Sequence, residues 1–278
     1  MKICIRISLY EVSDCHGDFT WLNARMFRIL NPKDYAIIIL GDVGFNSGNT
    51  FRDDMKKEYA SQFGYSIYCV RGNHEVRPEN VEGMERVWDS NVQANVWYEP
   101  THPLIRYFDN YGIYYLKTED REYRTLVIGG AYSVDKYYRL KNNLLWWEDE
   151  QLTNAEKSEV ERLIRQTNKH FDLVLSHTCP YSWEPKDLFL PCVDQSTVDN
   201  SMELWLENIE KDIDWNIWLW AHFHCDRIQG PHCEIFYNNT DFLSEIWDRW
   251  NNNDKERKDR MKKSLVFFIE NKWSKEFK

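Results

Sequence analysis

The sequence predicts an α/β domain in which two sheets pack face to face. Short runs rich in β-branched and aromatic residues recur along the chain, and segments with helical periodicity separate several of them. Strands and helices alternate in the first half, which is typical of parallel pairing, whereas the second half has more strands and shorter connections. The predicted strands are residues 2–10, 35–40, 65–70, 113–116, 125–128, 172–175, 216–220, 234–237 and 264–269.

Two helical segments are defined by their patterns. Residues 153–166 begin at Thr153, which forms a capping box with Glu156, and continue with apolar residues three and four positions apart. Residues 241–250 also place apolar side chains on one stripe. We therefore expect helices over both segments.

The composition narrows the class of protein. The chain of 278 residues is long enough for a buried core, and we expect one domain over 1–278 with 240–278 as a C-terminal helix–strand extension. A formal net charge of -10 disfavours stable nucleic-acid binding, and the lack of a long apolar run argues against a membrane partner. The 7 Cys include no CxxC pair, which favours a reduced, cytoplasmic protein.

Polar residues follow five of the predicted strands at their carboxyl ends, where ligands bind in open α/β sheets. Buried carboxylates and imidazoles are costly without partners, so five such signals in order are difficult to explain by core packing. On an extended strand, residues two apart point to the same side, so Asp14 with His16 and His222 with His224 can each converge on one place. The five groups are Asp14 and His16; Asp42; Asn73, His74 and Glu75; His177; and His222 and His224.

These residue types suit hard to borderline divalent cations, because they offer carboxylate and amide oxygens and neutral imidazole nitrogens. A carboxylate has two oxygens and can bridge two ions. The ligand types accept Mn, Fe, Zn, Co or Ni, and we take Mn as the first choice. The sequence thus predicts a site for divalent metal ions.

The ordered blocks D-x-H, G-D, G-N-H-E, a lone H and H-x-H resemble those of the calcineurin-like metallophosphoesterase superfamily. The resemblance implies a four-layer α/β-β/α sandwich of two mixed sheets flanked by helices. It also implies a dinuclear site in which Asp42 bridges the ions. The implied ligands are Asp14, His16, Asp42 and His224 for one ion, and Asp42, Asn73, His177 and His222 for the other.

The chain departs from the superfamily pattern in two blocks. Ala221 replaces the glycine of the last block, a change that we expect to be tolerated if the local φ is negative. Phe45 and Asn46 stand where the protein-phosphatase branch carries an Asp that orients the catalytic His and an Arg that holds phosphate. We therefore do not extend that branch's protein specificity to this chain, and the group that orients His74 stays open.

The basic group that contacts substrate phosphate has three candidates. Arg71 precedes the third block, whereas Lys136 and Arg139 follow a predicted strand in a stretch that resembles an active-site loop. For each of them a surface or structural role is the competing interpretation.

The resemblance implies a phosphoesterase in which a metal-bridging hydroxide attacks phosphorus in line and His74 protonates the leaving oxygen. Its substrate would be a nucleotide, a small phosphoester or a phosphoprotein. One alternative is a noncatalytic protein that keeps the metals for structure or partner binding. The other is a nuclease of the same superfamily, which the net charge disfavours.

Overall fold

Two mixed sheets dominate the fold. The structure is a computed structural model and describes residues 2–6, 17–119, 121–189, 193–230, 232–235 and 240–251. These residues form a seven-stranded sheet in the order β13-β1-β2-β3-β6-β5-β4 and a six-stranded sheet in the order β11-β12-β10-β9-β8-β7. The strands are β1 (Lys2–Arg6), β2 (Tyr35–Ile39), β3 (Ser66–Cys69), β4 (Glu85–Asp89), β5 (Ala94–Tyr98), β6 (Ile105–Tyr107), β7 (Tyr111–Lys117), β8 (Glu122–Ile128), β9 (His170–Ser176), β10 (Asp214–Trp220), β11 (Arg227–Gly230), β12 (Cys233–Ile235) and β13 (Thr240–Phe242).

The centre of each sheet is parallel, and its edges are antiparallel. In the first sheet, β2 lies between β1 and β3 and pairs in parallel with both. In the second, β9 lies between β8 and β10, again in parallel. The carboxyl ends of the central strands of each sheet therefore reach a common edge.

Neighbouring residues of β2 point to opposite faces of the sheet and enter different cores. Ile38 belongs to a core that also contains Leu173 and Leu219 from the second sheet, so the two sheets pack against each other. Ile37 and Ile39 pack on the other face, in a core with side chains of the helical layer. The described helices are α1 (Arg25–Ile29), α2 (Thr50–Ser61), α3 (Lys136–Lys141), α4 (Asn154–Arg165), α5 (Ser201–Asp212) and α6 (Leu243–Asn251).

Helices cover both outer faces, which gives four layers. Phe27 of α1 and Ala60 of α2 pack in the core outside the first sheet. Val160 of α4 and Leu206 of α5 pack with Trp218 in the core outside the second sheet. The predicted sandwich of two mixed sheets flanked by helices is confirmed.

The predicted elements within the described residues are present. The helix predicted over 153–166 is α4, and its capping box is formed by Thr153 and Glu156. The segment predicted as helix from 241 begins two residues later, because Phe242 belongs to β13. The strand predicted over 264–269, and with it most of the predicted extension over 240–278, lies outside the described residues.

The described part of the extension packs on the rest of the fold. Leu243 and Ile246 of α6 lie in the core between the sheets. The guanidinium of Arg249 donates to the buried carboxylate of Glu234 on β12 at 2.6 Å. In the part of the chain that the structure describes, no helix is both long and apolar enough to cross a bilayer.

Candidate metal centre

The carboxyl ends of the central strands bring four of the predicted ligands together. Asp42 follows β2, Asn73 follows β3, His177 follows β9, and His222 follows β10. One potential ligand atom from each of Asp42, His177 and His222 lies within 4.8 Å of the other two. The Asn73 side-chain oxygen is 2.8 Å from His177 Nε2. These four residues therefore form one cluster that joins both sheets.

His177 presents a lone pair to this cluster. Its Nδ1 is 2.8 Å from the backbone carbonyl of Leu40, which can only accept, so Nδ1 carries a proton. In the neutral imidazole Nε2 is then an acceptor, yet it faces Asn73 Oδ1 at 2.8 Å and Asp42 Oδ2 at 3.4 Å. Three acceptor atoms that converge in a buried place need a cation or a proton among them. The residues present therefore fit a divalent metal ion.

Charges within the cluster shift the pKa values of its imidazoles in opposite directions. Burial lowers the pKa of His177, but the carboxylate of Asp42 outweighs it, so the pKa is raised from its ordinary value. Desolvation lowers the pKa of His222 well below its ordinary value, and the neighbouring His177 lowers it further. His222 is therefore neutral at physiological pH, which is the state that binds metals.

Three of the predicted ligands adopt left-handed backbone conformations. Asp42 has φ 48°, His222 has φ 68° and His224 has φ 50°. Such values are uncommon outside glycine and cluster at functional sites. The strand alternation predicted for His222 and His224 is wrong, because β10 ends at Trp220 and both His lie in the following turn.

Of the remaining predicted ligands, the structure describes only His224. The side chain of His224 is exposed, whereas that of His222 is partly buried. Asp14 and His16 lie outside the described residues, so their role as ligands stays a prediction. Ala221 is not among the residues with positive φ, which agrees with the expectation that this position tolerates a methyl group in place of glycine.

Two glycines permit the close approach of the ligand loops. Gly41 has φ +104°, and a Cβ added there would lie 2.1 Å from His177 Nδ1. A Cβ added to Gly72 would lie 2.0 Å from Asp42 Oδ1 and 2.1 Å from the Asp42 nitrogen. Neither contact is possible without displacing a ligand.

Replacing Gly72 with Ala should therefore damage the metal centre more than the fold. The added methyl must push Asp42 or the 72–74 loop aside, and we expect Mn²⁺ affinity to fall by at least about 10-fold, as when ligand geometry is disturbed. Equilibrium Mn²⁺ titration gives the affinity. Gly83 to Ala is the matched control, because its Cβ would meet nothing within 4 Å, although its φ of +83° adds backbone strain. A Gly72 variant with wild-type affinity would contradict the close approach.

A buried carboxylate to which the sequence analysis assigned no role of its own links two ligand blocks. Glu75 accepts a hydrogen bond from the backbone N–H of Val43. The backbone N–H of His74 in turn donates to Asp42 Oδ1 at 2.8 Å. The pKa of Glu75 is raised to about 8, mainly by burial and also by the nearby charge of Asp42. The two blocks are therefore joined directly by these hydrogen bonds.

Asn73 is held by a second buried network. Its Nδ2 donates to Ser133 Oγ at 2.8 Å, and Ser133 donates to Glu150. Trp146 Nε1 donates to the same Glu150 oxygen at 2.8 Å. The stretch containing Ser133 resembled an active-site loop in sequence, but no sequence signal pointed to Glu150 as its partner.

The three predicted phosphate-binding residues occupy different environments. Arg71 is 1% exposed and donates to the carbonyl oxygen of Glu150 at 2.9 Å, and its burial lowers the pKa to about 10. Arg139 donates to Asp135 at 2.7 Å within α3. Lys136 Nζ lies 4.2 Å from the centroid of the Trp146 ring. Arg71 and Arg139 thus bond to neighbouring protein groups, and Lys136 is the partly exposed member of the set.

The positions that depart from the superfamily pattern serve packing. The Phe45 ring is fully buried and stacks on Phe19 with centroids 4.3 Å apart. Asp53 accepts from Ser47 at 2.6 Å, and Asp54 lies 3.8 Å from His102. These two carboxylates of α2 therefore contact Ser47 and His102.

A lysine that the sequence did not indicate brings positive charge to the ligand loops. Lys56 of α2 donates to the carbonyl oxygen of Gly44 at 2.9 Å. A Cβ added to Gly17 would lie 2.6 Å from Lys56 Nζ, so the lysine also approaches the chain that follows the first predicted block. Lys56 is therefore a further candidate for contact with an anionic substrate.

The comparisons with known proteins agree with this geometry. The sequence model of the family described as calcineurin-like phosphoesterase matches residues 7–226, which is more than half of the chain and includes every predicted metal ligand. A search among curated proteins returned no match.

Proposed function

The chain belongs to the calcineurin-like phosphoesterase family, and from this premise we propose that it hydrolyses phosphate esters with two bound divalent metal ions. The observation that carries the proposal is the convergence of Asp42, Asn73, His177 and His222 at the strand ends, with acceptor atoms facing one another. Family membership supports a metal-dependent phosphoesterase in general. The number of ions and the mechanism are our inference.

The proposed ligands follow the order of the sequence blocks. One ion would be held by Asp14, His16, Asp42 and His224, and the other by Asp42, Asn73, His177 and His222. When bound, the ions activate water as the nucleophile for in-line attack and stabilise charge on the phosphoryl oxygens. The shared carboxylate of Asp42 suits a bridging position, because it lies between His177 and the backbone of His74.

The protein's own groups complete the reaction. His74 is partly exposed beside the cluster, and its charge affects the pKa of His222, so its imidazole lies near the reacting centre. We assign it the transfer of a proton to the leaving oxygen. We assign the attraction of the phosphate group to Lys56 and Lys136, and we assign Arg71 and Arg139 the positioning of the loops around it.

Mn is the first choice of metal, and Fe, Zn, Co and Ni are accepted by the same ligands. We propose a single domain over residues 1–278, with 240–278 as an extension. A cytoplasmic location fits the free thiols of Cys69, Cys179, Cys225 and Cys233. The substrate is a nucleotide, a small phosphoester or a phosphoprotein.

A turnover screen of the Mn-loaded protein tests the proposed function. The substrates are aryl monoesters, diesters, nucleotides, cyclic nucleotides, a phosphopeptide and single-stranded DNA. We expect turnover of at least one small ester, lost after chelation and restored by Mn²⁺. Metal bound without turnover of any substrate would favour the noncatalytic alternative, and turnover of DNA alone would favour the nuclease.

A further inference from the structure

The orientation of the Asn73 side chain is decided by its hydrogen bonds. The amide is fully buried between His177 and Ser133, with Oδ1 2.8 Å from His177 Nε2 and Nδ2 2.8 Å from Ser133 Oγ. An amide rotated by 180° would fill almost the same space and would present Nδ2 to His177 instead. Only the amide oxygen can bind a cation, so only the orientation with Oδ1 toward His177 can ligate a metal ion.

Ser133 distinguishes the two orientations because its hydroxyl has a single proton. That proton is donated to Glu150, a carboxylate that also accepts from Trp146 Nε1. With its only O–H used, Ser133 Oγ can accept from Asn73 but cannot donate to it. The Asn73 amide must therefore turn its NH₂ group to Ser133 and its oxygen to His177.

Glu150, the carboxylate that sets the direction of these hydrogen bonds, is itself held by its surroundings. Glu150 is 2% exposed, and its backbone carbonyl accepts from Arg71 Nη1 at 2.9 Å. The adjoining carbonyls of Asp149 and Gln151 each accept from Arg77 Nη2 at 2.9 Å. Both arginines flank the block that carries Asn73, so hydrogen bonds on both sides of that block join it to the segment that carries Glu150.

We propose that Glu150 and Ser133 are positioning residues that hold the Asn73 oxygen toward the metal site. The inference rests on the proposed function, because it gives Asn73 the role of a metal ligand. Neither Glu150 nor Ser133 touches the metal or the substrate in this role. Outer-shell hydrogen bonds of this kind orient ligands, and their loss costs about 10- to 100-fold in metal affinity.

Equilibrium titration with Mn²⁺ alone tests the proposal, with free Mn²⁺ counted by electron paramagnetic resonance. Ser133→Ala removes the acceptor for Asn73 Nδ2. Glu150→Leu removes the carboxylate that accepts the Ser133 proton, so the hydroxyl can donate to Asn73 Oδ1 instead. We expect each variant to weaken one of the two binding steps by about 10- to 100-fold. Asp89→Asn is the matched control, because Asp89 is a buried carboxylate that bonds Tyr68 and Arg106 instead.

A double-mutant cycle separates positioning from a general loss of structure. If Ser133 acts through Asn73, then Ser133→Ala should have no further effect on Mn²⁺ affinity in the Asn73→Ala background. A Ser133 effect of the same size in both backgrounds would overturn the proposal. So would wild-type affinity in Ser133→Ala and Glu150→Leu.

Nuclear magnetic resonance of the metal-free protein reads the orientation directly. With Asn side chains selectively labelled, the Asn73 amide protons should show contacts to the Ser133 β-protons in wild type and to the His177 ring in Glu150→Leu. An unchanged contact pattern in Glu150→Leu would overturn the proposal even if the wild-type protein bound no Mn²⁺. Failure of the wild type to bind Mn²⁺ would by itself count against the proposed function only.

Discussion

Replacing Asp42 with Asn should reduce bound metal from about two Mn²⁺ ions per chain to fewer than one. The amide oxygen of Asn can still accept from the backbone of His74, but the negative charge shared by both proposed sites is lost. Asp42 Oδ2 also lies 3.4 Å from His177 Nε2. Because Asp42 follows a strand of the first sheet and His177 follows a strand of the second, the change affects the proposed ligands of both sheets. Elemental analysis after dialysis against Mn²⁺ gives the content, and we expect kcat/KM to fall by at least about 1,000-fold.

The control for this variant is again Asp89→Asn, a carboxylate-to-amide change at a buried position outside the cluster. It should keep both metal ions, whatever its effect on the free energy of unfolding. Wild-type Mn²⁺ content in Asp42→Asn would contradict the bridging role, and a wild-type protein with one ion or none would contradict the dinuclear centre.

Most of the cluster of Asp42, Asn73, His177 and His222 was predictable, because its residues can be recognised from their immediate neighbours in the sequence. Each of Asp42, Asn73 and His177 comes within four residues of the end of an apolar strand, and the ends of parallel strands share one edge of a sheet. The turn containing His222 and His224 was not predictable in this way. Its positive φ values come from the path of the chain after β10, where pattern reasoning expected a strand to continue.

The partners of the ligands could not be read from the sequence, since they depend on how distant loops meet. Glu150 lies 17 positions from Ser133, and Ser133 lies 60 positions from Asn73, yet hydrogen bonds join the three. The direction in which a guanidinium points also depends on tertiary contacts. Arg71 stands beside a ligand in sequence and is a natural candidate for phosphate binding, but its Nη1 points to backbone carbonyls of Glu150 and Gly72.

The missed fold elements share a weak apolar pattern. Four of the five residues of β4 are exposed, and charged residues begin and end it, so neither alternation nor an apolar run indicates a strand. β4 pairs with β5 as an edge hairpin, which tolerates such composition.

In α2, the buried positions include Asp53 and Lys57, which pattern reasoning assigns to a solvent-exposed face. Lys57 is satisfied there by a buried ion pair with Glu99 at 2.8 Å.

The role of His74 is testable because two interpretations predict different substrate dependence. A general acid matters most for a poor leaving group, since an alkoxide needs a proton in the transition state and a nitrophenolate hardly does. A residue that only binds the phosphoryl group contributes equally to both esters. The substitution His74→Asn is suitable because the hydrogen bond from this residue to Asp42 uses the backbone N–H, which the variant keeps.

We expect His74→Asn to lower kcat/KM for an alkyl phosphate by on the order of 100-fold or more and for nitrophenyl phosphate much less. Both esters are measured at one pH, with metal content shown to equal that of the wild type. His170→Asn is the matched control, because His170 is paired with Asp214 at the start of β9, away from the carboxyl ends that carry the cluster. Equal losses for the two esters would assign His74 to phosphate binding, because a lost proton donor must penalise the more basic leaving oxygen.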